Sequence, residues 1–381
     1  MRLNSRLARG PYGIDAPAVT ARSELHHARR IIIKIGSRTL TTDADLIPRL
    51  ARQIAGLSNG KRSFVIVSSG AIAIGYSRLG YKTRPKEVAR LQAAAAAGQS
   101  VLMRRWDEAF HAQGLTVAQV LLTHADLADR ERLNNAREAL AALLEAGAVP
   151  IINENDTVAT EEIRFGDNDQ LSAMVVPLVG CDLLVLLTDV EGVLDAEGVR
   201  IPVMSPDQQV LTRAGNSDRI GSGGITSKVE SARRASRSGA NVVIAPAYHP
   251  TVITDLLSGA DLGTLFPRVG LPLRARKHWI AFTLRPRGTL ILDDGAVRAL
   301  AAGKNSLLPI GVLGVRGQFN PGDAVRLVAV DGTEIGRGLT RLGALDVARA
   351  AGKKGAELEN LFGSGGADAV VVHKDDLVVQ P

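Results

Sequence analysis

Between residues 30 and 245 short runs of branched aliphatic residues alternate with longer helical stretches, and this rhythm restricts the fold more than any other feature of the chain. The strand candidates are 30–35, 63–68, 115–122, 149–153, 183–188 and 241–245, with helical stretches near 45–58, 87–112, 130–146, 169–180 and 226–239 between them. Runs such as Ile31-Ile32-Ile33 and Leu183-Leu184-Val185-Leu186-Leu187 are apolar on both faces. A strand of that kind must be covered on both sides, which predicts an α/β domain with a largely parallel, doubly covered sheet. The run from Gln92 to Gln99, five alanines and a glycine between two glutamines, reads as an interior helix, because alanine favours helix and small side chains permit close approach.

At 381 residues the chain exceeds one ordinary domain. Composition changes after about residue 260. The stretch 262–276 holds Pro267, Pro272, Gly263, Gly270 and several basic residues without periodicity, the pattern of a linker. Beyond it, glycine-punctuated β-rich runs at 279–284, 289–292, 310–315, 324–330, 334–340 and 369–372 predict a small half-open barrel with one or two helices. The expected organisation is a disordered extension over 1–28, a main domain over 29–262, a linker over 263–276 and a second domain over 277–381.

The net charge is +7 and the pI about 9.7, so anionic partners are favoured and nucleic acid is one candidate. Part of the excess comes from Arg2, Arg6, Arg9, Arg22, Arg29 and Arg30, which face only Asp15 and Glu24 in the first thirty residues. That stretch reads as a solvated tail, the product of a misassigned start or an arginine-rich transit peptide, and it lacks the apolar segment of a secretory signal. Cys181, alone in the chain, excludes an intrachain disulfide. No apolar run approaches the roughly 20 residues that span a bilayer. A cytoplasmic protein without membrane contact is expected.

Polar residues gather where the strands end. Lys34 closes the first strand before Gly36, the second ends in Ser68-Ser69-Gly70-Ala71, and the fourth in Asn153-Glu154-Asn155-Asp156. Open α/β sheets bind ligands at these carboxyl ends. A strand-end lysine can also snorkel to solvent, but three consecutive polar termini on one edge point to a site. Gly166-Asp167-Asn168-Asp169-Gln170 precedes a helix. Asp167 and Gln170 have capping-box spacing, yet capping needs one acceptor and the turn supplies three side chains. Gly221-Ser222-Gly223-Gly224-Ile225-Thr226-Ser227-Lys228 opens another helix. It is either a plain connector or a phosphate cradle of backbone N–H groups, and its place between the strands 183–188 and 241–245 favours the cradle.

Taken in order, Lys34-Ile35-Gly36-Ser37, Val67-Ser68-Ser69-Gly70-Ala71-Ile72, Leu122-Thr123-His124-Ala125-Asp126, Asn153-Glu154-Asn155-Asp156-Thr157-Val158, Gly166-Asp167-Asn168-Asp169, Leu187-Thr188-Asp189 and Gly223-Gly224-Ile225-Thr226-Ser227-Lys228 resemble the glutamate 5-kinase branch of the amino acid kinase family. Lys277-His278-Trp279-Ile280, Asp294-Gly295-Ala296, Ser306-Leu307-Leu308-Pro309 and Gly322-Asp323 resemble a PUA pseudobarrel. The resemblance implies ATP-dependent phosphorylation of the glutamate γ-carboxylate, the first step of proline synthesis. Lys34 and Lys228, held by Asp169, form the implied catalytic set. Ser69, Asp156, Asp167 and Asn168 are implied to bind glutamate. Lys34, Thr188, Asp189, Ser222, Gly223, Gly224, Ile225, Thr226, Ser227 and Lys228 are implied to line the ATP site. Mg²⁺ is implied to ride on the nucleotide phosphates, and the scattered histidines suggest no separate metal site. Proline as feedback inhibitor, a homo-oligomer and coupling to glutamyl phosphate reductase are further implications.

The chain departs from the family pattern in two places. The loop 190–200 lacks the usual aspartate-proline pair, and Arg38 stands where small or apolar residues are more usual. Kinases acting on aspartate, acetylglutamate or a phosphorylated isoprenoid would share the nucleotide site, and the Asn153–Asp156 and Asp167–Asp169 motifs favour free glutamate among them. The alternative from another class is an RNA-binding protein acting through the PUA domain. Against it, that domain carries Arg285, Arg287, Arg298, Arg316, Arg326, Arg337 and Arg341 but few aromatic residues for stacking on bases.

Overall fold

A computed structural model describes residues 22–58, 60–159, 168–205, 224–269, 277, 279–303 and 305–379. The chain divides into two units, Met1–Pro272 and Leu273–Pro381. Among the described residues of the first, β1 (Arg30–Ile35), β2 (Ser63–Val67), β3 (Val117–Leu122), β4 (Val149–Glu154), β5 (Leu183–Thr188), β6 (Asn241–Pro246) and β7 (Thr264–Phe266) form one sheet in the order β3-β4-β2-β1-β5-β6-β7. All pairings are parallel except β6 with β7. Around them run α1 (Ser37–Thr42), α2 (Leu46–Leu57), α3 (Ala71–Arg78), α4 (Val88–His111), α5 (His124–Ala128), α6 (Arg130–Glu145), α7 (Asn168–Val179), α8 (Ile225–Arg237) and α9 (Val252–Leu257).

The doubly apolar strands are buried on both faces, as their composition requires. Ile31, Ile33, Leu183, Val185 and Leu187 join Leu50, Ile54, Trp106 and Phe110 of α2 and α4 in one cluster. The alternate residues Ile32, Val65, Leu184 and Leu186 are equally inaccessible on the opposite face. The alanine run lies in α4 and crosses α3 at very short range. A Cβ on Gly98 would sit 1.8 Å from the Ala71 carbonyl oxygen, and one on Gly75 1.8 Å from that of Ala94. Only paired glycines let two helix backbones meet so closely. This crossing fixes α3, which begins after the left-handed Gly70 at φ 99° that turns the chain out of β2.

Two spans read as unstructured are built into this unit. Residues 22–28 dock on it: Leu25 is fully buried, and the Arg22 guanidinium donates to the carbonyls of Pro202, Ala260, Leu262 and Gly263 while pairing with Asp261 at 2.9 Å. Arginine content suggested a solvated tail there, but one guanidinium satisfies four carbonyls that the chain turns would otherwise strand. The expected disorder of residues 1–21 lies outside the described residues. The stretch read as a linker opens with β7, which completes the sheet edge.

In the second unit β8 (Gly288–Leu292), β9 (Val312–Gly317), β10 (Ala324–Val328), β11 (Glu334–Thr340) and β12 (Val372–Val379) lie in the order β12-β11-β10-β8-β9, with only β8 and β10 parallel. With α10 (Asp294–Ala301), α11 (Ala344–Ala350) and α12 (Ala356–Phe362) they enclose a core of Leu290, Leu292, Leu300, Val325, Leu327 and Val347. The run read as a strand at 279–284 is instead a π-helical turn, Trp279–Thr283, whose Ala281 carbonyl accepts from Arg337 Nη1 at 3.0 Å rather than from a ladder. The last strand begins where the expected one ended. Its Lys374-Asp375-Asp376 hid it from a hydrophobic reading, and such charges are normal on the sheet edge it occupies. Among the described residues no helix is long and apolar enough to cross a membrane.

Candidate active site

Three of the expected residues meet at the carboxyl end of β1. Lys34 leaves the end of that strand, Asp169 lies in the first turn of α7, and Lys228 lies in the first turn of α8. Both ammonium groups pair with the one carboxylate: Lys34 Nζ with Oδ1, and Lys228 Nζ with Oδ2 at 3.0 Å. Asp169 is fully buried, and the lysines are only 4% and 8% exposed. Burial pushes the Asp169 carboxyl up, but Lys34 and Lys228 outweigh it and hold the group below the usual carboxylate range. Among the described ion pairs both ammonium groups share this one buried carboxylate, which fixes two cationic groups side by side in a dry place.

Beside this cluster opens a cleft lined by Ser69, Asp156 and Asn168 together with Ser37, Tyr76 and Arg84. Burial raises the Asp156 carboxyl to about 6, against the pull of the Arg84 guanidinium. The cleft therefore offers one acidic and one basic group. Asn168 is held by a buried amide relay. Its Nδ2 donates to the Ser68 carbonyl at 2.5 Å and to Asn153 Oδ1 at 2.7 Å, so what this side chain can add toward a ligand is an acceptor. Asn153 Nδ2 donates in turn to Gln99 Oε1 at 2.8 Å, and Gln92 Nε2 donates to the Ala159 carbonyl at 3.0 Å. Helix α4 thus grips both ends of the segment that carries Asp156. Trp106 Nε1 steadies the other wall by donating to Ser68 Oγ at 3.2 Å.

At the end of β5, Thr188 Oγ1 donates to Asp189 Oδ1 at 3.2 Å. The unusual Arg38 finds its partner here: its Nη1 donates to Asp189 Oδ2 at 2.9 Å, with both side chains more than half exposed. Gly224 caps α8, and Ile225, Thr226 and Ser227 lead to Lys228 with no acidic residue in the first turn. Asp167, Ser222 and Gly223 lie outside the described residues.

Arg84, Tyr76, Gln92 and Gln99 were not singled out from the sequence. Arg84 sits in a polar loop without periodicity, which carries no signal. Gln92 and Gln99 did leave one: two glutamines seven residues apart fall on one helix face of an otherwise small and apolar run.

Comparison with known proteins agrees with this geometry. The model of the amino acid kinase family matches residues 29–246, and that of the PUA domain matches 288–362. A glutamate 5-kinase of Thermus thermophilus is 47% identical over 93% of this chain and 98% of its own length. Those of Chromohalobacter salexigens and Trichlorobacter lovleyi are 46% and 44% identical, each over 94% of this chain and 98% of the relative. With a family model covering more than half of its length and relatives this similar end to end, the chain belongs to the amino acid kinase family.

Proposed function

We propose that the chain transfers the γ-phosphoryl group of ATP to the γ-carboxylate of L-glutamate, giving γ-glutamyl phosphate for proline biosynthesis. The observation that carries this is the buried Lys34–Asp169–Lys228 cluster, which holds two lysines on one carboxylate, beside a cleft that presents Asp156 and Arg84. A carboxylate acceptor is already ionised near neutral pH, so no general base is required. Catalysis reduces to alignment and charge stabilisation. Lys34 and Lys228 neutralise charge on the transferred group, and Asp169 keeps both in place. Thr188, Asp189 and residues 222–228 line the nucleotide side. Mg²⁺ arrives on the nucleotide phosphates and supplies further charge neutralisation there.

The cleft suits an α-amino acid. Asp156 and the Asn168 acceptor receive the α-ammonium group, Arg84 the α-carboxylate, and Ser69 a hydrogen bond, with Asp167 nearby. On the same reading proline inhibits at or beside this cleft, the protein is a cytoplasmic homo-oligomer, and the unstable acyl phosphate passes to a glutamyl phosphate reductase. The relatives named above support the choice of glutamate over other acceptors. The test is hydroxylamine trapping with Mg-ATP and a panel of glutamate, aspartate and N-acetylglutamate. Hydroxamate from glutamate alone is expected, and preferential reaction of either other acceptor would overturn the assignment.

A further inference from the structure

Phosphoryl transfer makes no use of the ten arginines of the second unit, and the fold brings three of them together. Arg316 on β9 and Arg326 on β10 both stand opposite Thr289 of β8, so the three side chains form one row on one face of the sheet. Arg287 precedes β8 directly, and with Gly288 and Gly317 these residues line a cavity of about 390 Å³. No carboxylate lies among the lining residues, and none of the three arginines is in an ion pair among the described residues. Arg337, next in the row beside Arg326, is by contrast occupied, donating to Glu334 at 2.7 Å and to the Ala281 carbonyl.

Gly288 and Gly317 contribute backbone to the cavity lining. Gly288 and Gly317 face each other across β8 and β9. A Cβ on Gly288 would lie 2.3 Å from the Phe319 ring, and one on Gly317 2.7 Å from the Arg287 carbonyl. Gly288 alternates with Thr289 and shares the face of buried Leu290, so this crowding lies on the core side and lets β8 and β9 close up behind the arginine row.

We propose that this hollow is a binding site for a linear polyphosphate anion: two or more linked phosphates, free or as the tail of a nucleotide. Guanidinium forks match pairs of phosphate oxygens. Arg316 and Arg326 are two strand spacings apart, roughly 9.5 Å at the backbone, a span suited to several linked phosphates rather than one. The Thr289 hydroxyl between them adds a hydrogen-bonding group. None of the lining residues is aromatic, so no surface reads or stacks a base. Binding is therefore indifferent to the nucleobase.

The test is calorimetric titration of the full chain at low salt, with the phosphotransfer site saturated by a non-hydrolysable ATP analogue, Mg²⁺ and glutamate. Inorganic tripolyphosphate, ADP, GDP, orthophosphate and a transfer RNA are the probes. Tripolyphosphate is expected to bind one site, ADP and GDP to bind alike, and orthophosphate to bind on the order of tenfold or more weakly than tripolyphosphate. An Arg316→Ala, Arg326→Ala double variant should lose on the order of tenfold or more in affinity. Arg298→Ala, outside the cavity, should change nothing. These arginines are exposed, so the circular dichroism of each variant should match the parent. Absence of a second site, unchanged binding by the double variant, a marked preference for one base, or binding of structured RNA but not tripolyphosphate would each overturn the proposal.

Discussion

Around Asp169 three charged groups are nearly sealed from solvent and bonded to one another, whereas in the adjoining cleft Asp156 is half-buried and Arg84 is exposed. The first arrangement meets its desolvation cost during folding and keeps its geometry before any ligand arrives. In the second, Arg84 stays in water while Asp156 is partly desolvated without a close counter-charge among the described residues, a cost that a ligand ammonium group would offset on binding. The contrast assigns different consequences to damage. Changes to the buried cluster should reach stability and turnover together, while changes to the cleft should reach substrate affinity without loss of stability.

Asp169→Asn tests this contrast with the largest expected effect. It leaves two buried lysines without their carboxylate, which should cost about 3–5 kcal/mol in urea unfolding. Turnover should fall on the order of 100-fold or more. The pH dependence follows from the direction of the shift. The folded carboxyl titrates below its unfolded value of about 3.9, so its contribution is complete at neutral pH and disappears as pH falls from that value through the folded one. The variant should therefore show a flatter acid limb. An unfolding midpoint like that of the parent would mean that the cluster is not the fixed element argued for it.

Lys228→Ala comes next. Asp169 keeps Lys34, so the fold should persist with a smaller loss of stability, while turnover drops on the order of 100-fold. Near-normal turnover by the folded variant would remove Lys228 from the reaction.

How much of this contrast was visible beforehand depended on which physical signal each part leaves in a chain. Strands such as β1 and β5, apolar on both faces, can only be central, and they were legible at once. β7 is three residues between a glycine and a proline, and β12 carries Lys374, Asp375 and Asp376, so neither shows a strand-like period. Lys34, Asp169 and Lys228 belong to separate motifs on different elements, and their convergence on one carboxylate depends on strand order, which no local pattern encodes. Arg84 was invisible because an arginine in a polar loop looks like any solvated charge. Arg38 stood out as unusual, but only the fold shows that its position answers Asp189.

The cleft variants should act on affinity. Asp156→Asn and Arg84→Ala should each raise the glutamate KM about 10- to 100-fold. Arg84→Ala should change stability by no more than about 1 kcal/mol, whereas Asp156→Asn should stabilise the free protein at neutral pH by removing a charge that burial disfavours. Truncated substrates separate their roles. Glutarate lacks the α-ammonium group and 4-aminobutyrate lacks the α-carboxylate. Asp156→Asn should cease to distinguish glutamate from glutarate, and Arg84→Ala should cease to distinguish it from 4-aminobutyrate. Discrimination ratios like the parent's would reject these assignments. Protonation of Asp156 removes its attraction for ammonium, so the parent's glutamate KM should rise as pH falls through about 6, and the Asn variant should not follow. Stability runs the other way. A carboxyl raised in the folded state holds its proton more tightly there, so the parent gains on the variant as pH falls from about 6, with the gain complete below about 3.9.

The smallest effect belongs to Arg38→Ala, because the Arg38–Asp189 pair shares the edge of the site with the buried cluster yet stands in water. Burial raises the Asp189 carboxyl and the Arg38 guanidinium more than reverses that, so the pair exists at neutral pH. Exposed pairs of this kind contribute no more than about 1 kcal/mol, and salt screens them. Loss of the arginine should therefore leave unfolding almost unchanged and alter the ATP KM by a few-fold at most, in a direction set by what Asp189 does once released. If Asp189 contacts the nucleotide, freeing it should lower the KM. If the guanidinium itself faces the phosphates, the KM should rise, and raising the ionic strength should shrink that difference. A loss of turnover comparable to that of Lys228→Ala would place Arg38 with the buried lysines and erase the distinction between the dry and the wet parts of the site.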